Sequence, residues 1–178
     1  MRITETKVRG LEITGVPGLD PIRVTLEDLG PGQGRINIEC YSKAWATCWG
    51  GIGKDTIAQF VTGCDEHYIA GKVSSTPSQI FDPEGLVEML KREVVENRRK
   101  GLLTHEEARY RFNDIEELDL PDDVNAMFHV AGIEELMGPE WWYRLPKKEN
   151  PDYAYLTRII KTVQQALREV GEGINDED

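Results

Sequence analysis

The sequence predicts an α+β fold: an N-terminal antiparallel sheet of three to four strands followed by several packed helices. Three observations carry this. Apolar residues alternate with period two in segments of the first fifty positions, then recur at helical spacing from about residue 54 onward. The connections between the alternating segments are short, so the strands pair antiparallel, since a parallel crossover takes a dozen or more residues. A composition of 39% hydrophobic and 30% charged over 178 residues suits a soluble globular chain and argues against disorder or a membrane span.

Residues 2–9 read as a first strand and 10–18 as a loop or irregular hairpin. Residues 21–29 alternate strictly, with Ile22, Val24 and Leu26 on one face and Arg23, Thr25 and Glu27 on the other. The run Gly30-Pro31-Gly32-Gln33-Gly34 is a turn signal. Residues 35–41 then bring Ile36, Ile38 and Cys40 to one face, and 44–49 do the same for Trp45, Thr47 and Trp49.

The period then changes. Asp55 is the expected cap of a short helix carrying Ile57, Phe60 and Val61 and stopped by Gly63. A second short helix is expected over 64–70, stopped by Gly71, and 73–80 reads as a mobile loop. Asp82-Pro83 supplies a cap and a proline at the first helical position for a helix with Leu86, Met89, Leu90 and Val94 as its core stripe, ended by Gly101. Thr104-His105-Glu106-Glu107 is a capping box, followed by Ala108, Phe112, Ile115 and Leu118 at helical spacing. Further helices are expected over 122–130 and 133–137. Asn150-Pro151 opens the last one, with Tyr155, Ile159, Val163, Ala166, Leu167 and Val170 on one face.

No linker-like stretch separates strands from helices. The expectation is therefore a single α+β domain over 1–170, strands at about 2–50 and helices at about 55–170, with a disordered acidic tail at 171–178. The three cysteines do not form a disulfide framework, and the first residues lack the apolar core of a signal peptide, so the expected localisation is cytoplasmic.

Charge is unevenly placed. The formal total is −11. Residues 1–81 hold 8 basic and 9 acidic groups, net −1, whereas 82–178 hold 13 and 23, net −10. Within 106–135 ten acids face only Arg109 and Arg111. This balance weighs against ordinary nucleic-acid binding, which depends on Lys and Arg displacing phosphate counterions. Carboxylates on rigid helices instead suit a basic partner, including a nucleic-acid-binding protein whose groove they would fill in place of DNA. The candidate acids are Glu106, Glu107, Asp114, Glu116, Glu117, Asp119, Asp122 and Asp123. The aromatic run Trp141-Trp142-Tyr143-Arg144 adds Trp141, Trp142 and Arg144, residue types favoured at protein-binding hot spots; the plainer reading is that a tryptophan anchors the core.

Catalytic and metal-binding patterns are weaker. Residues 49–56 resemble a phosphate-binding loop, but Cys48 stands where its first glycine belongs and Asp55 where it needs a hydroxyl, so a glycine-rich turn is the better reading. Cys40, Cys48, Cys64 and His67 are the residues available to a zinc site, although only Cys64 and His67 have a usable local spacing. The same pair is the candidate nucleophile and base of a small enzyme. Asp65 and Glu66 count against it, because negative charge beside a thiol raises its pKa. His105 and His129 have no evident sequence partner, and the adjacent carboxylate pairs single out no acid–base site. No cofactor is expected.

The segments Cys64-Asp65-Glu66-His67-Tyr68-Ile69-Ala70-Gly71-Lys72 and Glu140-Trp141-Trp142-Tyr143-Arg144-Leu145-Pro146, with Asn150-Pro151-Asp152-Tyr153 and Arg158-Ile159-Ile160-Lys161, resemble uncharacterised accessory proteins of enterobacterial phages and prophages. The resemblance covers most of the chain and carries no catalytic residue with it. It implies a host-cell cytoplasmic setting and an accessory role against a host nuclease or defence system. The expectation is a non-enzymatic binding protein that engages a basic or nucleic-acid-binding host protein through its acidic helical surface, with no membrane and no direct nucleic-acid contact. The alternatives are a small cytoplasmic enzyme or zinc-dependent protein centred on Cys64 and His67, and a homo-oligomer.

Overall fold

The computed structural model describes residues 1–130 and 133–173. In chain order these form β1 (Arg9–Ile13), β2 (Ile22–Gly30), β3 (Gln33–Cys40), β4 (Lys43–Trp49), α1 (Ile57–Gly63), α2 (Glu66–Val73), β5 (Gln79–Phe81), α3 (Pro83–Arg99), α4 (His105–Glu116), α5 (Ile133–Met137), β6 (Lys147–Glu149) and α6 (Pro151–Gly173). Short 3-10 helices lie at Ala126–His129 and Trp141–Arg144. The α+β class and the antiparallel N-terminal sheet are as the sequence predicts.

The chain divides into two compact units, one of residues 1–77 with the segment from Pro151 onward, the other of residues 78–150. Where the sequence suggests one body over 1–170, the boundaries fall inside its helical half. The second unit needs no linker composition because its ends are paired: Gln79 lies opposite Glu149 in the β5–β6 ladder, and the Asn150 amide donates to the Ser78 carbonyl at 3.0 Å.

In the first unit the strands lie in the order β1-β2-β3-β4, all neighbours antiparallel. Ile22, Val24 and Leu26 of β2 and Ile36, Ile38 and Cys40 of β3 are buried on one face, as period-two alternation requires. Trp49 joins them from β4. The first strand is displaced from the predicted 2–9 to Arg9–Ile13, inside the segment read as a loop. Leu11 and Ile13 pack on the core there, opposite Val24 and Ile22, whereas Ile3 and Val8 stay exposed.

Helices α1, α2 and α6 cover the inner face. Leu156, Ile159, Ile160, Val163 and Leu167 of α6 are buried at the spacing of one helical stripe, each worth about 1.5–3 kcal/mol of transfer free energy. Val170, predicted on this stripe, is exposed. Gln164 is buried among them. Its amide donates to the Val61 and Cys64 carbonyls, both at 2.8 Å, so α6 satisfies the end of α1. Gly34 is where α1 meets the sheet: a Cβ there would stand 2.6 Å from Cβ of Ile57.

Several predicted boundaries move. The cap of α1 is Thr56, not Asp55, because Thr56 and Gln59 form a reciprocal capping box. α2 begins at Glu66, capped by Asp65, whose carboxylate takes the His67 amide at 2.8 Å and the Tyr68 amide at 3.3 Å. It then runs through Gly71 to Val73. α6 likewise continues to Gly173, three residues into the predicted acidic tail; residues 174–178 lie outside those described.

The second unit has its own core, including Leu86, Leu90 and Val94 of α3, Ala108 and Ile115 of α4, and Met127, Met137, Trp141 and Leu145. The predicted loop at 73–80 ends in β5. The predicted helix over 122–130 is only the 3-10 turn Ala126–His129. The Asp123 carboxylate takes the Asn125 amide at 2.9 Å, and Met127 is the one core residue of the turn.

Candidate functional site

The second unit, 78–150, holds 10 basic and 17 acidic groups, net −7, so it carries most of the acid excess. All eight predicted acids are exposed, yet they do different things. The Thr104 backbone amide and hydroxyl both donate to Glu107 at 2.8 Å, closing the predicted capping box. Those two hydrogen bonds hold the Glu107 carboxyl below the usual carboxylate range. Glu116 pairs with Lys91 at 2.8 Å, and Asp123 accepts from the Asn125 backbone and side chain. These three are engaged in holding the fold.

Glu106, Asp114, Glu117, Asp119 and Asp122 have no ion pair or side-chain hydrogen bond among the described residues. At 100° per residue, Glu106, Asp114 and Glu117 fall within about 80° of one another, opposite the buried Ala108 and Ile115. α4 therefore presents a carboxylate ridge to solvent.

The aromatic run separates into core and surface. Trp141 is 4% exposed and is the anchor that the plainer reading expects. Phe128 lies 4.9 Å and Trp142 5.9 Å from it by ring centroid, and Tyr143 5.8 Å from Trp142. Phe128, Trp142 and Tyr143 leave 59%, 43% and 80% of their area in solvent, an exposed aromatic patch around a buried ring. Arg144, read from the sequence as a candidate contact residue, is tied down: one guanidinium nitrogen donates to the Met137 carbonyl at 2.8 Å and another meets the Glu93 carboxylate.

The four candidate zinc ligands are not brought together. Cys40 is buried on the inner face of β3, 3.3 Å from the Tyr155 hydroxyl. Cys48 is exposed on β4, opposite Arg35, on the other side of the sheet. Among the described residues no group of three or more His, Cys, Asp or Glu side chains is placed to hold a metal. Cys64 has its thiol pKa raised, as predicted, but the cause is burial rather than Asp65 and Glu66. His67 is turned to Tyr153: its Nδ1 lies 3.0 Å from the phenol oxygen and the rings stack at 5.7 Å. Glu66 is held by Lys161 at 2.9 Å, which lowers the carboxyl pKa and raises that of the ammonium. Burial thus disfavours the Cys64 thiolate, and the His67 ring is engaged by Tyr153.

The glycine-rich stretch before α1 is a turn. Ile52 is buried and its amide donates to the Gly32 carbonyl at 2.8 Å. The first amide of α1, that of Ile57, is taken by the Asp28 carboxylate at 2.7 Å, the place an anionic ligand would need.

One arrangement escaped the sequence reading. His105 and Arg109, seen there as an isolated histidine and a counter-charge, line a groove between α3 and α4 together with Arg98 and Arg99. The available signal was Arg98, which stands four residues beyond Val94 on the stripe Leu86–Leu90–Val94, where a further core residue would fall.

Among the described residues no helix is long and apolar enough to cross a membrane. No curated protein and no solved structure matches the chain. A model of a phage family matches residues 1–169, and the chain belongs to that phage family.

Proposed function

We propose that this phage protein is an accessory protein that binds a basic protein of the host cell through the acidic ridge of α4. The observation that carries the reading is the set Glu106, Asp114 and Glu117 on one exposed face, followed in the chain by the exposed Asp119 and Asp122, all without cationic partners among the described residues. Carboxylates left unpaired on a rigid helix keep their field for a partner, accelerating encounter and fixing orientation. Phe128, Trp142 and Tyr143 supply the kind of aromatic surface that adds affinity where an interface closes.

Charge density favours a basic protein patch over close imitation of a duplex. From Glu106 to Glu117 the helix rises about 16 Å. It carries five acids and two arginines there, net −3. Duplex DNA carries about ten charges over the same length. Inhibition of a host nuclease by DNA mimicry therefore also needs Asp119, Asp122 and Asp123, which bring the net to −6 over 106–123.

Capture from a bacterial lysate at low salt tests the reading, with the wild-type chain and the triple variant Glu106→Gln, Asp114→Asn, Glu117→Gln as paired baits. A specific protein should be retained by the wild type, be lost from the variant and elute as salt rises. Equal retention by both baits, or none by either, refutes it. Release of the captured protein by duplex DNA would add the mimicry.

A further inference from the structure

We propose that the groove between α3 and α4 binds a small phosphorylated organic anion with a flat apolar portion, of the nucleoside-phosphate class. The proposal is independent of the acidic ridge.

The groove follows from the helical hairpin. α3 ends at Arg99 and the chain turns at Gly101, whose φ of 74° suits glycine. The last turn of α3 and the first turns of α4 thus meet at one end of the pair. The cavity there measures about 700 Å³, within the range of small-molecule sites. Val94, Ala108 and Phe112 give it apolar walls, and Arg98, Arg99 and Arg109 give it three guanidinium groups.

Among the described residues no carboxylate lines it, in a unit of net −7. Elsewhere in the unit four cations meet acids, Lys91 with Glu116, Lys100 with Glu96, Arg144 with Glu93 and Lys148 with Asp82, while Arg92, Arg111 and Lys147 stand without an ion pair among the described residues. Arg98, Arg99 and Arg109 have no ion pair among the described residues. Arg98 and Arg99 suit the carbonyl end of α3, where cations are favoured. Arg109, on the facing side of α4, has no such helix end beside it and is turned to the same groove. A ligand with two or more negative charges accounts for both sets. Guanidinium forks hold phosphate oxygens bidentately. The half-buried Phe112 ring and Val94 favour a flat apolar body beside those charges.

Calorimetric titration of the full chain with ADP as the probe tests this, with adenosine and inorganic phosphate titrated separately. ADP should bind once per chain, and each fragment at least about tenfold more weakly, a difference of about 1.4 kcal/mol. Arg98→Gln and Arg109→Gln should each weaken ADP at least tenfold. Arg23→Gln should leave it unchanged, since Arg23 lies on β2 and pairs with Glu12. Both groove variants are expected to fold, checked by circular dichroism, with Arg98→Gln losing at most the small stabilisation that a cation gains at the end of α3. Four results would each overturn the proposal: no heat with ADP up to about 1 mM, phosphate alone binding as well as ADP, equal weakening by Arg23→Gln, or an acidic peptide occupying the groove in preference to ADP.

Discussion

Replacing Arg144 by methionine decides whether this residue serves a partner or the fold. Methionine keeps most of the aliphatic stem and removes the guanidinium. The lost hydrogen bond to the Met137 carbonyl, 2.8 Å from a charged donor, is worth about 1.5–3 kcal/mol. The Glu93 contact adds little: the two side chains are 44% and 33% exposed, so solvent screening leaves about 0–1 kcal/mol. The expected loss is therefore about 1.5–4 kcal/mol, confined to the second unit. Glu93→Gln should lose at most about 1 kcal/mol. Two units need not unfold together, so a single midpoint is not enough. Hydrogen exchange read by mass spectrometry along a urea series assigns the loss to segments, and peptides covering 133–145 should lose protection while those of β2 and β3 do not. A loss under about 0.5 kcal/mol with 133–145 unchanged is what a free surface side chain would give, and it would refute the structural role.

Other perturbations follow from single contacts. Gln164→Leu leaves the Val61 and Cys64 carbonyls without their amide donor and should destabilise the first unit by about 1–3 kcal/mol, seen as faster exchange of α1 and α2 amides. Gly34→Ala forces a Cβ against Ile57 and should cost about 1–3 kcal/mol by urea unfolding; an unchanged midpoint would show that α1 shifts away from β3 without loss. Tyr155 has its phenol pushed up to about 12, first by its hydrogen bond with Cys40 and then by burial. An unfolded tyrosine ionises at about 10. The folded chain therefore holds this proton more tightly, and stability present below pH 10 should decline between about pH 10 and 12. Phenolate absorbance should show a late step that Tyr155→Phe abolishes; an unchanged titration would show that the step belongs to another tyrosine.

What the sequence revealed and what it hid have a physical division. β2, β3 and the capping box at Thr104 were legible because each rests on near neighbours: strict alternation in Ile22–Leu26 and Ile36–Cys40, and a hydroxyl and carboxylate three residues apart. What was missed depends on distant partners. β1 is a strand because Val24 and Ile22 lie opposite Leu11 and Ile13, and β5 because β6 arrives from about seventy residues away. Gly71 continues a helix whose spacing to the core is set by Ile69 and Ala70, both buried. In the candidate site, residue types were readable but their engagement was not. Nothing local says that Glu107 is consumed by a cap, or that Arg144 is spoken for by Met137 and Glu93.

The same limit applies most sharply to charge, which composition averages over directions that a helix keeps apart. Consecutive residues on α4 point about 100° from each other. Glu106 therefore faces solvent while His105 turns toward α3, and Asp114 lies outward while Arg109 lines the groove. A net of −8 over 106–135 conceals an acidic ridge on one face of α4 and, on another, the Arg109 side of a cationic groove shared with α3. Because the two faces share no side chain, their roles are separable by substitution. Neutralising Glu106, Asp114 and Glu117 removes carboxylates that would repel a bound anion from a distance, so the triple variant should bind ADP no more weakly than the wild type. Arg98→Gln should leave capture of a basic protein intact. A loss of both activities in either variant would mean that α4 presents one composite surface, and the division of its charges into two sites would be wrong.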